Sequence, residues 1–187
     1  MFRRDVRVMI SAEEIFQRVQ ELGLRIGSDY LKSDLVVVGL LNGVYPFFAD
    51  LTRAIDLDFP IGFMRVSSYG AGRVSSGDVK IIHDIEIPIR GKSVLIVEDI
   101  VDTGLTLDKV LKHLQKQSPA SLRVCALLDK PARRVVDLPV DYAGFTISDQ
   151  FVVGYGMDAN GLYRNLPYIG EVIAKPDENV ARQCDNS

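Results

Sequence analysis

Short apolar runs alternate along the chain with segments whose apolar residues recur at helical spacing. The runs at 35–41 (LVVVGLL), 94–97 (VLIV) and 122–128 (LRVCALL) are nearly continuous, which is typical of strands covered on both faces of a sheet. Between the last two runs, apolar residues within 107–114 recur at i, i+3, i+4 and i+7, which predicts an amphipathic helix. The alternation along the whole chain predicts an α/β fold with a mainly parallel central sheet flanked by helices.

Two further helices and several strands are predicted around this strand–helix–strand unit. Ser11 and Glu14 have the spacing of a capping box, and apolar residues follow at helical intervals as far as Ile26. A second helix is expected from Pro46, shortly after the Asn42-Gly43 turn. The further strands are predicted at 61–68, 79–82, 85–89, 142–145, 151–155 and 168–173.

Two segments carry no apolar period. Residues 69–77 (YGAGRVSSG) are rich in glycine and serine and predict a mobile loop, and the polar residues 175–187 predict a frayed tail. No internal repeat or interdomain linker is visible, so residues 1–187 are predicted to form a single domain.

Composition and charge narrow the class of protein. The chain has only two cysteines, which excludes a disulfide framework and a cysteine-rich zinc site and suits a cytoplasmic protein. The net charge of −3 argues against a broad nucleic-acid-binding face. No apolar run approaches the ~18 residues of a membrane span, so neither a signal peptide nor a membrane anchor is expected.

The stretch VLIVEDIVDTGLTL at 94–107 combines acids with a turn suited to phosphate. Glu98 and Asp99 are predicted to lie just past the end of a strand, and Thr103-Gly104-Leu105-Thr106 is predicted to begin the next helix. The N–H groups of a helix N-terminus bind anions, and the upstream acids accept hydrogen bonds from hydroxyls or hold a metal through water. A phosphorylated sugar is the ligand that satisfies both halves.

Competing phosphate motifs do not fit. The P-loop pattern G-x-x-x-x-G-K-[ST] finds its closest spacing at Gly72 and Gly77, where Asp78 follows instead of lysine. The dinucleotide pattern G-x-G-x-x-G fails because the glycine pairs at 70–72 and 154–156 lack the third glycine. For the stretch taken alone, a merely solvated acidic turn before an ordinary helix remains an alternative.

Four motifs, in order, resemble one family. VEDIVDTGLT resembles the phosphoribosyl-diphosphate motif of the type I purine phosphoribosyltransferases, and three other motifs are similar to their hypoxanthine-guanine branch: SSYG at 67–70, LLDKP at 127–131 and FVVGYGMD at 151–158. The similarity spans roughly residues 6–173. It implies a small hood lobe built from the chain-terminal segments, and Mg²⁺-dependent transfer of a phosphoribosyl group from phosphoribosyl diphosphate to N9 of hypoxanthine or guanine.

The resemblance assigns the acids and the phosphate turn to phosphoribosyl diphosphate. It implies that Glu98 and Asp99 bind the ribose hydroxyls, directly or through Mg²⁺. Asp102 is implied near purine N7 as the catalytic proton carrier, a role that needs hydrogen-bond reach. Thr103, Gly104, Leu105 and Thr106 are implied to bind the 5-phosphate.

The same resemblance assigns the purine and diphosphate contacts. Lys130 is implied to select the 6-oxo group, Phe151 to stack on the purine, and the Val152 backbone to meet the base edge. Asp158 is implied in purine and metal contacts, and Arg164 in binding of the diphosphate. Ser68 and Tyr69, at the start of the loop at 69–77, are implied as catalytic residues of a lid that closes during reaction.

One loop departs from the family pattern. Asn42 and Gly43 correspond to the diphosphate loop, where relatives usually carry lysine or arginine at the position of Asn42 and a small residue at that of Val44. The absent cation puts diphosphate affinity in doubt, together with a subunit contact that the basic residue commonly makes. The family pattern also implies a non-proline cis peptide, expected between Asn42 and Gly43, and a homodimer or homotetramer.

Two other functions remain open at this point. A nucleotide- or RNA-binding regulator on the same fold would bind a purine nucleotide without turnover, whereas a receiver-like signalling domain would be phosphorylated on an aspartate and ignore purines. The acidic charge balance and the presence of Lys130 and Phe151 favour the enzyme. Four residues match no site pattern and are assigned no chemistry: His83, His113, Cys125 and Cys184.

Overall fold

The computed structural model describes residues 6–68 and 79–173, omitting the side chains of the two residues that border the gap. Within these ranges the strands are Val6–Ile10 (β1), Leu35–Leu41 (β2), Ile61–Ser68 (β3), Val79–His83 (β4), Ser93–Val101 (β5), Ser121–Asp129 (β6), Tyr142–Thr146 (β7), Val152–Val153 (β8) and Ile169–Val172 (β9). The α-helices are Ala12–Tyr30 (α1), Tyr45–Ala54 (α2) and Leu105–Gln115 (α3). None of the helices in the described part of the chain is long and apolar enough to cross a membrane.

The central sheet has six strands in the order β4-β3-β2-β5-β6-β7, and all neighbours are parallel except the edge pair β3 and β4. Alternate residues of β2 and β5 enter two separate apolar clusters: Val37 and Leu95 pack with α1 and α2, whereas Val36 and Ile96 pack with α3. This confirms the α/β class, and it explains why the strand sequences are apolar at nearly every position.

Helix α1 begins as the sequence predicts. The Ser11 hydroxyl accepts a hydrogen bond from the Glu14 N–H at 3.2 Å, and the Glu14 carboxylate accepts one from the Ser11 N–H at 2.8 Å. This reciprocal pair satisfies two N–H groups at the helix start.

A second, smaller sheet joins the two ends of the described chain. Strand β9 lies between β1 and β8 and is antiparallel to both. Val152 of β8, a predicted purine contact, is buried in this sheet. The small sheet therefore corresponds to the hood lobe that the resemblance implies.

The structure differs from the predicted secondary structure at four places. Residues 85–89 are not a strand, strand β1 was not predicted, and the strand predicted at 151–155 is only two residues long. Strand β5 also continues to Val101, so Glu98 and Asp99 lie within the strand, near its carboxyl end, and not beyond it. The predicted loop at 69–77 and tail at 175–187 lie outside the described residues.

The direction of chain connection reverses between β2 and β5. From β2 the chain passes through α2 to β3 on one side, and from β5 it passes through α3 to β6 on the other. Ligands of open α/β sheets bind at such a reversal, beyond the carboxyl ends of the strands. The loop at 42–43 and the acidic stretch from Glu98 onward both lie at this point.

Candidate active site

Glu98 and Asp99 form a pair of adjacent, partly buried carboxylates near the end of β5. Burial raises the pKa of Glu98 well above its ordinary value, and the neighbouring Asp99 carboxylate raises it further. Burial also raises the pKa of Asp99, although hydrogen bonds from Glu98 and from the Ile100 N–H and the charge of Arg164 oppose this. A cation placed here would relieve the repulsion within the pair.

The loop after β2 touches this pair directly. A Cβ atom on Gly43 would lie 1.8 Å from Asp99 Oδ2, so only glycine allows the backbone to approach the carboxylate this closely. The cis peptide of this loop joins Leu41 to Asn42, one bond earlier than predicted, at the last residue of β2. The diphosphate-loop residues Asn42 and Gly43 are thus held beside the acidic pair.

The predicted phosphate turn leads into α3. Gly104 has φ +82°, a conformation that favours glycine, and a Cβ there would also overlap neighbouring side chains. Leu105 is the first residue of α3, and its N–H points at the Thr103 hydroxyl at 3.5 Å. The first N–H groups of a helix have no partners within it, so this turn presents donors to an anion.

Two pockets adjoin at the acidic stretch. The phosphate-side pocket, of about 220 Å³, is lined by Glu98, Asp99, Ile100, Val101, Asp102, Thr103, Gly104, Thr106 and Leu107. The purine-side pocket, of about 230 Å³, is lined by Asp99, Ile100, Asp102, Lys130, Phe151, Val152, Met157 and Asp158. Asp99 and Asp102 line both pockets, so the pockets meet at these acids and one ligand can extend from one pocket into the other.

The purine-side pocket has the features of a base-binding site. Lys130 is buried, with 6% of its surface exposed, and its Nζ donates to the Gln150 carbonyl oxygen at 2.5 Å. Phe151, which follows Gln150, lines the same pocket and is 63% exposed, so its ring is accessible to a ligand there. A buried ammonium group beside an uncovered ring suits a flat, oxygen-bearing heterocycle.

Arg164 lies beside the loop after β2 and lines neither pocket. Its guanidinium contacts Asp158 Oδ1 at 2.6 Å and donates to the Gly156 carbonyl oxygen at 2.6 Å. A Cβ on Gly156 would lie 1.8 Å from the Gly43 carbonyl oxygen, so the turn at 154–158 packs directly on the loop after β2. Arg164 therefore lies near the diphosphate loop, which lacks a cation of its own at Asn42.

Two arginines contact the site without belonging to a motif recognised in the sequence. Arg133 Nε lies 3.0 Å from Asp102 Oδ1, and this hydrogen bond and charge raise the pKa of Arg133. Arg134 forms an ion pair with Asp129 at the end of β6, where both side chains are largely buried. In the sequence, the one sign of their role is that both arginines closely follow the LLDKP motif.

The carboxylates fit a magnesium ion that is shared with a phosphorylated ligand. Among residues 6–68 and 79–173, no three His, Cys, Asp or Glu side chains converge into a metal site. Magnesium is usually held by one or two carboxylates together with substrate phosphates and water. Glu98 and Asp99 fit this description, whereas Asp158, the third predicted ligand, is ion-paired with Arg164.

Of the two predicted lid residues, the structure describes only the backbone of Ser68. Ser68 is the last residue of β3, and nothing is described of its side chain. Tyr69 lies outside the described residues. Most of the other predicted site residues line one or both pockets. The exceptions are Asn42, Gly43, Leu105 and Arg164, which line neither pocket.

Comparison with known proteins identifies the family. The family described as "Phosphoribosyl transferase domain" matches residues 9–160. The chain therefore belongs to the phosphoribosyltransferase family, and the resemblance read from four short motifs is confirmed.

Individual relatives narrow the branch. The chain is 51% identical to hypoxanthine phosphoribosyltransferase of Escherichia coli (strain K12) over 173 residues, covering 91% of this chain and 97% of that protein. It is 45% identical to hypoxanthine-guanine phosphoribosyltransferase of Bacillus subtilis (strain 168), covering 94% and 97% respectively. The solved structure of a hypoxanthine-guanine phosphoribosyltransferase from Bacillus anthracis matches with a TM-score of 0.86 and 45% identity, over 90% of this chain and 100% of that chain.

Proposed function

We propose that the protein transfers the phosphoribosyl group of phosphoribosyl diphosphate to N9 of hypoxanthine or guanine, releasing diphosphate in a purine-salvage reaction. The observation that carries the proposal is the pair of adjoining pockets that share Asp99 and Asp102. One pocket ends at a helix N-terminus and the other at a buried lysine beside an exposed ring. The names of the relatives agree with this choice of substrates.

The reaction breaks the bond from ribose C1 to the diphosphate oxygen and forms a bond to purine N9. Positive charge develops on the ribose in the transition state, and we assign Glu98 and Asp99 to the ribose hydroxyls, where carboxylates stabilise that charge. The 5-phosphate is assigned to residues 103–106, whose backbone N–H groups and hydroxyls act as donors. Magnesium, when bound through Glu98 and Asp99, would neutralise charge on the leaving diphosphate.

The purine is assigned to the second pocket. Lys130 would donate to the 6-oxo group, which adenine lacks, and Phe151 would cover one face of the ring. We assign Asp102 to the proton at N7, because it lines both the phosphate-side and the purine-side pocket. Arg164, together with the backbone at 42–43, would bind the diphosphate.

A direct assay tests the proposal. The purified protein is supplied with phosphoribosyl diphosphate and Mg²⁺, and nucleotide formation is compared for hypoxanthine, guanine, xanthine and adenine. We expect nucleotide and diphosphate with hypoxanthine or guanine and negligible use of adenine. Efficient use of adenine would contradict the role of Lys130, whereas nucleotide binding without any turnover would favour the regulator.

Assembly as a homodimer or homotetramer and a cytoplasmic location are part of the same proposal. Sedimentation in solution measures the state of assembly.

A further inference from the structure

The connection between β6 and β7 contacts consecutive residues of the phosphate turn. Within this connection, residues 131–138, Arg133 Nε donates to Asp102 Oδ1 at 3.0 Å and the Val135 N–H donates to the Thr103 carbonyl oxygen at 3.0 Å. The side chains of residues 134, 136 and 138 reach to within 3.0 Å of where a Cβ on Gly104 would lie. The connection therefore supports the turn from outside the pockets.

Arg133 also reaches the purine side. Its Nη1 donates to Asp149 Oδ2 at 3.2 Å. Asp149 precedes Gln150, whose carbonyl oxygen accepts the hydrogen bond from Lys130. One guanidinium thus bridges the acid shared by both pockets and the segment that carries the purine-binding residues.

On the basis of the proposed function, we propose that Arg133 is a positioning residue that fixes the Asp102 carboxylate at the boundary between the two pockets. Its guanidinium donates to Oδ1 of Asp102, so this bond does not engage Oδ2, and Asp102 lines both pockets. A planar guanidinium can hold two carboxylates through separate nitrogens, which a lysine ammonium does with less geometric definition. Proton transfer depends steeply on such placement, since a misplacement of about 1 Å can cost about 100-fold in rate.

The role is distinct from support of the fold. The side chains of Arg133 and Asp102 are 41% and 40% exposed, and exposed ion pairs contribute little to stability. Loss of Arg133 is therefore expected to lower the turnover number while leaving thermal unfolding nearly unchanged. This separates positioning from a structural effect.

The test compares wild-type protein with Arg133→Gln, Asp102→Asn and the double variant, measuring kcat and KM for phosphoribosyl transfer to hypoxanthine. We expect Arg133→Gln to lower kcat roughly tenfold with KM for phosphoribosyl diphosphate changed less than about twofold. In the Asp102→Asn background the same substitution should cost less than about twofold, because the group it positions is already absent. The unfolding midpoint should move by no more than about 3 °C.

Arg7→Gln is the matched control, since it removes an exposed ion pair, with Glu171, in the small sheet. It should leave kcat unchanged. The inference is overturned if Arg133→Gln retains wild-type kcat, if it costs the same factor with and without Asp102, or if Arg7→Gln is equally impaired. Wild-type protein that forms no nucleotide from hypoxanthine or guanine would instead contradict the proposed function.

Discussion

At the scale of single residues, the site depends on positions where the backbone approaches a carboxylate. Gly43 is the clearest case, because a Cβ there would lie 1.8 Å from Asp99 Oδ2. Gly43→Ala should displace Asp99 or the loop and lower kcat/KM for phosphoribosyl diphosphate at least tenfold, on the order of what a lost charged contact costs. Steady-state kinetics at varied phosphoribosyl diphosphate measure this.

A second glycine provides the control for that substitution. Gly27 lies within α1, and the nearest atom to an added Cβ is 3.9 Å away. Gly27→Ala should therefore stabilise the protein by about 0.5–1 kcal/mol, because glycine costs more conformational entropy in a helix, and should leave kinetics unchanged. Equal kinetics for the two alanine variants would show that the approach of Gly43 to Asp99 is not needed.

Lys130 decides between bases in the proposed reaction. Lys130→Gln keeps a donor but removes the charge, so kcat/KM for hypoxanthine should fall roughly 10- to 100-fold, as expected for a charged hydrogen bond. Discrimination against adenine should weaken at the same time. Lys112→Gln is the control, since Lys112 is exposed and pairs with Asp108 on α3. Unaltered preference for hypoxanthine in Lys130→Gln would exclude Lys130 as the selecting group.

At the scale of elements, the sequence correctly predicts those strands and helices whose pattern lies within one short segment of the chain. Continuous apolar runs predict β2, β5 and β6, and capping spacing predicts the start of α1. Strand β1 is missed because only Ile10 of its five residues is buried, and it forms only by pairing with β9 from the other end of the chain. Pairing between segments so far apart in the chain cannot be recognised from the sequence of either segment alone.

The opposite error occurs at residues 85–89. Ile85, Ile87 and Ile89 alternate as in a strand, and they pack on the α3 side of the sheet. They form no ladder because pairing between β3 and β4 ends at Arg65 and His83, and Pro88 has no N–H to donate. The strand prediction at 85–89 is therefore wrong, although Ile89 is buried and Ile85 and Ile87 are partly buried.

The residues of the site also divide into those that a local motif predicts and those that it does not. Acids and the phosphate turn are adjacent in sequence, so their motif could be read directly, whereas Arg133 acts from a different segment of the chain. Its contact with Asp102 spans 31 positions and depends on how β5 and β6 lie side by side. The position of the cis peptide was missed by one bond, because the irregular bond falls where β2 ends and not within the turn.

The N-terminus of α1 gives a prediction about stability alone. Ser11→Ala removes the hydroxyl that accepts the Glu14 N–H and should lower the free energy of unfolding by about 1 kcal/mol. Denaturant unfolding measures the change, and kcat should stay at the wild-type value because the capping residues line neither pocket. A stability loss no larger than that of Ser28→Ala, a substitution at an exposed position of α1, would show that the cap contributes nothing.

At the scale of the whole molecule, the site is assembled from parts that are distant along the chain. Strand β5 of the central sheet supplies Glu98 and Asp99, and the segment that leads into α3 supplies Asp102 and the phosphate turn. The small sheet supplies Val152 beside the purine-side pocket. Because the pockets share Asp99 and Asp102, a ligand that fills both gains from linking its two halves, as connected binding groups do in general.

Ligand-induced stabilisation tests this shared site without catalysis. Inosine monophosphate should raise the unfolding midpoint more than ribose 5-phosphate and hypoxanthine added together at equal concentrations, because only the nucleotide links both halves; a ligand at 100 times its Kd adds about 2.7 kcal/mol. Lys130→Gln should reduce the shift caused by inosine monophosphate and leave that caused by ribose 5-phosphate intact, since Lys130 lines only the purine-side pocket. A nucleotide shift no greater than that of the separate halves would mean that the two pockets do not act as one site.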